Sequence, residues 1–569
     1  MLIKIHNQQP DEKDFSTSLS HDDLKIWFKG YFYFKSEFYT SNIACKLLND
    51  IYKNEQLASV KDMNGVFVCV ILDVVSRSLY ICNDRYGFHK IFYYSDDNTV
   101  LISDSFEQIA GQVNGVELDK TSFYEFIQCR FVSGKYTLAK NIYCIEPASV
   151  YTIDFRQAQI QIEHNCYWYY RQTSKKITLP EAEKEIHHTL NQIIVRYIDQ
   201  LFQGKNIGIN LTGGLDSRYL LALLLNNGIE SQKIKAFTFG SPQCEDIRFS
   251  RLVAQATKIQ HTPGLFNEEF RDFFDAGKID EVIRQIGAYT YYFQGYAINK
   301  YSGFYKDIDY LLSGSDGYFI GLKANPRLFS LKNNSQLVDY LYKLNATILK
   351  GSQVQGLLSE NESHLSQILQ ARISEYLNPD LDPVSGYFDW TIKNRHRKYL
   401  LSLHDLFPSN TICLLPYYDY EFIDLMAGYP YEVLENQKPY INTMFKNAFI
   451  ENYKSLASIP ADQRGKFFQV GGNFTTKKKR KYTFRKLLKK IFNTYDQDYS
   501  YPIRPLLDKR KSFKAVIEII RTSYPEYLDR DKVLKYVKKH RRSEFFVRYG
   551  LLVILSILRF EKIFRKNNS

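Results

Sequence analysis

The chain has 569 residues, 44% of them apolar, and a formal net charge of +13. That length exceeds what one hydrophobic core organises, so more than one domain is expected. No apolar run approaches the roughly 20 residues of a membrane-spanning helix, and the opening MLIKIHNQQPDEKD lacks a secretory signal's apolar core, so a soluble, cytoplasmic protein without a membrane span is expected.

Residues 1–165 read as β-rich, because NGVFVCVILDVVSRSLYICNDRYGFHKIFYYS alternates short apolar runs with turn residues. The texture changes near 180, where LPEAEKEIHHTLNQIIVRYIDQLF spaces its apolar residues as a helix does, with Pro180 in its first turn. KNIGINL follows as a short buried strand, SRYLLALLLNNG as a helix stopped at a glycine, IKAFTFG as a second strand and DIRFSRLVAQATK as a second helix. Alternating strands and helices predict a parallel, doubly wound sheet. IDYLLSGSDG at 308–317 repeats the scheme, and beyond about 330 the chain reads as mostly helical, ending in the buried helix around GLLVILSIL. The eight cysteines are scattered without a CxxC pair, which predicts free thiols and no zinc site. Most of the charge is local: KKKRKYTFRKLLKK at 477–490 holds nine Lys/Arg and no acid, and without it about +4 remains.

Chemistry concentrates in LTGGLDS, at the carboxyl end of the first strand of the alternating region, where ligands of such sheets bind. Gly213 and Gly214 let backbone amides approach an anion, Thr212 and Ser217 add hydroxyls, and a helix starting near Asp216 turns its positive end to the same place. Asp216 would repel a bare phosphate but suits a Mg²⁺ that bridges phosphates. No lysine stands where a Walker A loop requires one. Thr212, Gly213, Gly214, Leu215, Asp216 and Ser217 therefore resemble the pyrophosphate loop of enzymes that cleave ATP to AMP and pyrophosphate. A second turn, SGSDG, supplies Ser313 and Gly314 for the same ligand, and Asp316 as a partner for Asp216 on Mg²⁺. As a plain capping turn, the first motif would also explain its Asp and Ser.

Across most of its length the chain resembles the asparagine synthetase family. LTGGLDSR, AFTFG, LLSGSDGYFIG and LLPYYDYEFIDLMAGYP resemble that family's synthetase segments in order and spacing. MNGVFVCVILD, CNDRYGFHKIFYY, LISDS and NIYCIEPASVYTID resemble its glutaminase half. The resemblance implies an α/β fold in two parts. An αββα-type, Ntn-hydrolase-like β-sandwich over 1–165 precedes a doubly wound PP-loop ATP pyrophosphatase domain over 180–569, helical after about 330. It implies adenosine binding by Phe239 of AFTFG. The implied activity is an ATP-dependent ligase that adenylates a small-molecule or peptide carboxylate and then amidates it with ammonia or an amine. ATP and Mg²⁺ would be required, and a homodimer is compatible with it.

Two departures bear on that reading. The family's glutaminase uses an N-terminal cysteine, whereas this chain begins Met1-Leu2-Ile3 and its first cysteine is Cys45, so glutaminase chemistry is expected to be absent. The Asp316 loop is about two residues short of the family pattern, with Gly317 in place of a glutamate. β-Lactam synthetases and lasso-peptide cyclases also lack the cysteine and use a lysine in an R-x-K segment before a Gly-rich stretch. QRGKFFQVGGNFTT at 463–476 is similar, which makes Lys466 the candidate catalytic lysine. The competing expectations are asparagine synthesis from aspartate and free ammonia, a PP-loop RNA-modifying enzyme using the basic segment, and a non-catalytic scaffold. The N-terminal sandwich argues against nucleic acid as a partner, and the intact GGxDS argues against a scaffold.

Overall fold

The computed structural model describes most of residues 1–315 and 326–430, the stretches 510–523, 526–541 and 549–565, and a few positions between them. Asp316, Gly317, Lys466 and the basic segment 477–490 lie outside the described residues.

The N-terminal half is two antiparallel sheets. One holds β1 (Leu2–His6), β2 (Gln9–Lys13), β8 (Phe92–Ser95), β9 (Thr99–Ser103) and β10 (Ile142–Cys144), in the order β10-β8-β9-β1-β2. The other runs β12 (Gln161–Cys166), β11 (Ser149–Asp154), β7 (Ser78–Asn83), β6 (Asn64–Asp73), β4 (Leu24–Phe34), β3 (Ser18–His21), with β5 (Glu37–Thr40) also on β4. Alternation along β6 shows why they stack. Val68, Val70 and Leu72 meet Ile3, Ile5, Val100 and Ile102 between the sheets. Phe67, Cys69 and Ile71 turn the other way, onto Ala44, Cys45 and Leu48 of helix α1 (Ser41–Glu55). Helices α2 (Phe106–Gln112) and α3 (Lys120–Cys129) cover the remaining face, where Phe92 and Leu101 join their core. The layers are thus α, β, β, α.

Residues 167–178 carry no helix or strand, and helix α4 (Leu179–Gln200) then begins on a capping box between Thr178 and Glu181, with Pro180 in its first turn. Five parallel strands follow. β13 (Ile207–Asn210), β14 (Ile234–Gly240), β15 (Gln260–Leu265), β16 (Tyr310–Ser313) and β17 (Ile412–Leu414) lie in the order β15-β14-β13-β16-β17. Helices α5 (Asp216–Asn226), α6 (Glu245–Thr257), α7 (Ala276–Ile286) and α8 (Phe293–Lys300) alternate with them. The chain works outward from β13 through β14 to β15, then returns to β16 on the other side, so the order reverses beside β13. Helices at Asn334–Asn345, Glu362–Glu375, Pro383–Trp390, Arg510–Arg521, Arg530–His540 and Leu551–Phe564 make up most of the remainder. The C-terminal part is mostly helical, as expected, and it also supplies β17, which returns to pair with β16. Three residues, ICL, are too few to show a strand period.

Hydrophobic packing does not stop near 165. Phe106 meets Phe560 and Phe564 of the last helix, and Arg559 of that helix pairs with Asp280 of α7. Polar ties cross as well: Arg397, in a π-helical stretch Thr391–Leu400, donates to the Gly87 carbonyl at 3.0 Å, and Asn64 donates to Asp419 at 2.9 Å. Among the described residues, no helix is long and apolar enough to cross a membrane, and all eight cysteines are free.

Glu561 is buried in the last helix, with Oε1 accepting from the Glu526 amide and Oε2 without a partner. Burial raises its carboxyl to about 7. The folded state therefore keeps a proton that the unfolded chain releases near pH ~4.3, and the associated stability is lost as pH rises towards 7. Glu561→Gln removes that loss: between pH 5.5 and 8 the stability of the variant relative to wild type should rise by roughly 2 kcal/mol, read by urea denaturation at both pH values.

Candidate active site

The turn between β13 and α5 is built by its own side chains. The Thr212 amide donates to Ser217 Oγ at 3.1 Å, the Gly213 amide to Asp246 Oδ1 at 3.0 Å, and the Gly214 amide to Thr212 Oγ1 at 3.2 Å. Gly213 allows the turn to lie on the start of α6: a Cβ there would stand 3.2 Å from both Asp246 Cα and the Glu245 carbonyl. The Gly213 and Gly214 amides shape the turn and are directed to Asp246 and Thr212. The start of α5 borders the cavity, which Asp216 and Ser217 line, and its N-cap, Leu215, has no side-chain cap. Asp216 is the first helical residue, and its carbonyl accepts from Tyr417 OH at 2.9 Å, from just beyond β17.

The second turn touches the first. A Cβ on Gly314 would lie 2.7 Å from the Ser217 amide nitrogen and 2.9 Å from Ser217 Cα, so only glycine permits this approach. Between the ends of β13, β14 and β16 opens a cavity of about 350 Å³. It brings together Thr212, Asp216, Ser217, Phe239, Ser313 and Gly314. Gly213, Gly214 and Leu215 are not among the residues lining it, and Asp316 and Lys466 lie outside the described residues. One wall is apolar, from Phe237, Phe239, Ile298, Leu403 and Phe407, with Phe239 stacked on Tyr301 at 5.6 Å. Such a wall suits a planar base. A larger groove of about 680 Å³ lies between helices Asn334–Asn345 and Glu362–Glu375, but none of these strand-end residues line it.

Several functional candidates had no motif to announce them. Arg218 is buried and its guanidinium donates to the carbonyls of Gly213 (3.2 Å), Leu456 (3.1 Å), Ile459 (2.8 Å) and Pro460 (3.1 Å). Burial lowers its guanidinium to about 10. The signal was a cation opening an otherwise apolar helix, SRYLLALLL. His404 lines the cavity beside Ser313 and Ser315, and burial pushes its imidazole down to about 4. Its neighbour Asp405 turns to the N-terminal half, taking His89 Nδ1 at 2.6 Å and Lys29 Nζ at 3.1 Å. Burial opposes the Asp405 charge, yet Lys29, His89 and Lys90 outweigh it and hold the carboxyl well below the usual range.

A Mg²⁺ requirement fits these residues in part. Asp216 and Asp246 both line the cavity, and Mg²⁺ commonly takes one or two carboxylates and completes its shell with water and phosphate oxygens. Among the described residues no group of three or more His, Cys, Asp or Glu side chains forms a self-sufficient metal site. In the N-terminal half Cys45 is buried between α1 and β4, with Sγ against the Ile26 carbonyl, and is sealed from any substrate.

Gly314→Ala should push the second turn off α5, with a stability cost of about 1–3 kcal/mol. Any ligand held by both turns should bind about 100-fold more weakly. Denaturation and ligand titration on the same preparation check both effects.

The Asparagine synthase family matches residues 196–562, and the Glutamine amidotransferase domain matches residues 32–168. Among individual proteins, the chain is similar to the glutamine-hydrolysing asparagine synthetase of Rattus norvegicus, at 23% identity over 44% of this chain and 43% of that one. The Homo sapiens enzyme is 24% identical over 40% of this chain and 39% of its own length. A putative asparagine synthetase of Methanocaldococcus jannaschii is 24% identical over 39% and 42%. The chain thus spans less than half the length of the curated relatives it matches. With a family match across most of the chain and the two turns meeting at the sheet's reversal point, this protein belongs to the asparagine synthase family.

Proposed function

We propose that this protein is an ATP-dependent ligase that activates a carboxylate as an acyl-adenylate and converts it to an amide. The observation that carries this reading is the meeting of the Asp216 and Ser313–Gly314 turns at neighbouring strand ends, over one cavity with an apolar wall. That arrangement suits ATP: adenine against Phe239, phosphates at the start of α5. A carboxylate oxygen attacks the α-phosphorus, the bond to the β-phosphate oxygen breaks, and pyrophosphate leaves. Ammonia or an amine then attacks the acyl carbon, loses a proton, and AMP departs.

No protein nucleophile is needed, so the chain contributes position and charge. Asp216 and Asp316 would hold Mg²⁺, which when bound neutralises the departing pyrophosphate. Lys466 is the candidate for offsetting charge on the acyl intermediate. Arg218 holds Pro460 beside the Asp216 turn. Free ammonia or an amine is the nitrogen source in this reading, and buried Cys45 offers no nucleophile to a substrate. Aspartate remains one candidate acid, and asparagine the corresponding product.

Pyrophosphate exchange tests the reading. The protein with Mg²⁺, ATP, labelled pyrophosphate and one acid from a panel of amino acids and small carboxylates should return label to ATP with at least one acid. Asp216→Asn should lower that exchange about 100-fold. Exchange undiminished in the variant removes Asp216 from the site, and exchange with other acids but not aspartate removes asparagine synthesis.

A further inference from the structure

We propose that Cys166 and Lys393 form an oxidation-dependent sulfur–nitrogen cross-link between the N-terminal sandwich and the half that carries the candidate site. Neither residue lines the cavity, and the link does not depend on the ligase reading.

Cys166 ends β12, the edge strand of its sheet, and is half-buried, whereas the other seven cysteines are buried. A small oxidant in solvent therefore reaches Cys166 first. Lys393 stands in the π-helical stretch Thr391–Leu400, 227 positions further along the chain. Its Nζ lies 3.7 Å from Cys166 Sγ. The Trp168 carbonyl accepts from both groups, 2.7 Å from Nζ and 3.3 Å from Sγ, so one oxygen holds the two reactive atoms side by side. The rings of Tyr169 and Trp168 flank the ammonium, with centroids 3.9 Å and 5.5 Å from Nζ. These contacts restrict an otherwise flexible side chain to the neighbourhood of the sulfur.

A base for the nitrogen is also in place. Asp389 Oδ1 lies 3.0 Å from Lys393 Nζ. Burial raises the Asp389 carboxyl, against the opposing pull of Lys393, which suits it to take a proton. With hydrogen peroxide as oxidant, the Cys166 sulfur attacks one peroxide oxygen and the O–O bond breaks. The departing hydroxide takes the thiol proton and leaves as water, and sulfur is oxidised to a sulfenic acid. The Lys393 ammonium then gives a proton to Asp389, and the nitrogen lone pair attacks the sulfur. An N–S bond forms, the S–O bond breaks, and the hydroxide takes a second nitrogen proton to leave as water. The product is a sulfenamide, and Asp389 releases its proton to solvent. Thiols reverse the link: a thiolate attacks the sulfur, the nitrogen takes a proton and leaves, and a second thiolate reduces the mixed disulfide. Once formed, the bond fixes the end of β12 to the stretch that leads to Leu403 and His404 of the cavity wall.

Peptide mapping of the full-length protein, treated with hydrogen peroxide and digested with trypsin, tests the link. It should show peptides joined through Cys166 and Lys393, about 2 mass units below the sum of the separate peptides, with cleavage at Lys393 blocked. Mapping is needed because Cys69 and Cys82, opposite each other on β6 and β7, would lose the same mass as a disulfide. Dithiothreitol should return the separate peptides. Lys393→Arg keeps a cation beside Asp389 without the amine, and Cys166→Ser removes the sulfur; each should lower the joined peptide about tenfold or more. Asp389→Asn should slow its appearance about tenfold. Wild-type Cys166 carried on to sulfinic acid while Lys393 stays unmodified overturns the cross-link. A joined peptide that persists in Lys393→Arg overturns it as well, because the bond then lies on another nitrogen.

Discussion

Everything at the candidate site depends on how closely two backbones approach. β13 and β16 are parallel neighbours, paired from Ile207 with Tyr310 to Asn210 with Ser313, so their next residues must diverge or share space. Gly314 lets them share it, passing over Ser217 where no Cβ fits. Carboxylate, hydroxyls and the positive end of α5 then converge without a single long loop. Strand ends fixed in a sheet hold such groups more rigidly than loops do, which matters when catalysis is chiefly positioning.

The same economy appears in residues 404–405. One turn of chain places His404 in the cavity and Asp405 against Lys29 and His89 of the N-terminal half. The sandwich thus braces the turn that carries one wall residue of the candidate site, although none of its own residues line the cavity. The continuous core, with Phe106 against Phe560 and Phe564, makes the same point in apolar terms. Removing the sandwich would expose Asp405, the core face of α7 and the last helix.

What the sequence could disclose follows from the range of the forces involved. Local signals were legible: Thr178 with Glu181 starts α4, the GGxDS turn joins β13 to α5, and alternation in NGVFVCVILD marks β6 with both faces buried. Ser313 and Gly314 were legible as a site because they repeat the first turn's pattern. Contacts between distant residues were not. Nothing in LSLHDLF indicates that its histidine meets a serine 91 positions earlier. Nothing in ICLLP shows that three residues will complete the sheet. The direction of the Gly213 amide was also hidden, because Asp246 reaches it from another helix.

Arg218 shows how such a distant contact becomes a constraint. A buried cation without a carboxylate partner is costly, and here four carbonyl oxygens replace its water. Three of them belong to 456–460 and one to Gly213, so the guanidinium cannot be satisfied unless both segments are in place. Placement of Leu456, Ile459 and Pro460 is thus coupled to formation of the Asp216 turn. A lysine would supply one compact ammonium with three donors, too few for four acceptors spread around a planar fork. The requirement for arginine next to GGLDS comes from this geometry, and it ties the Asp216 turn to Leu456, Ile459 and Pro460.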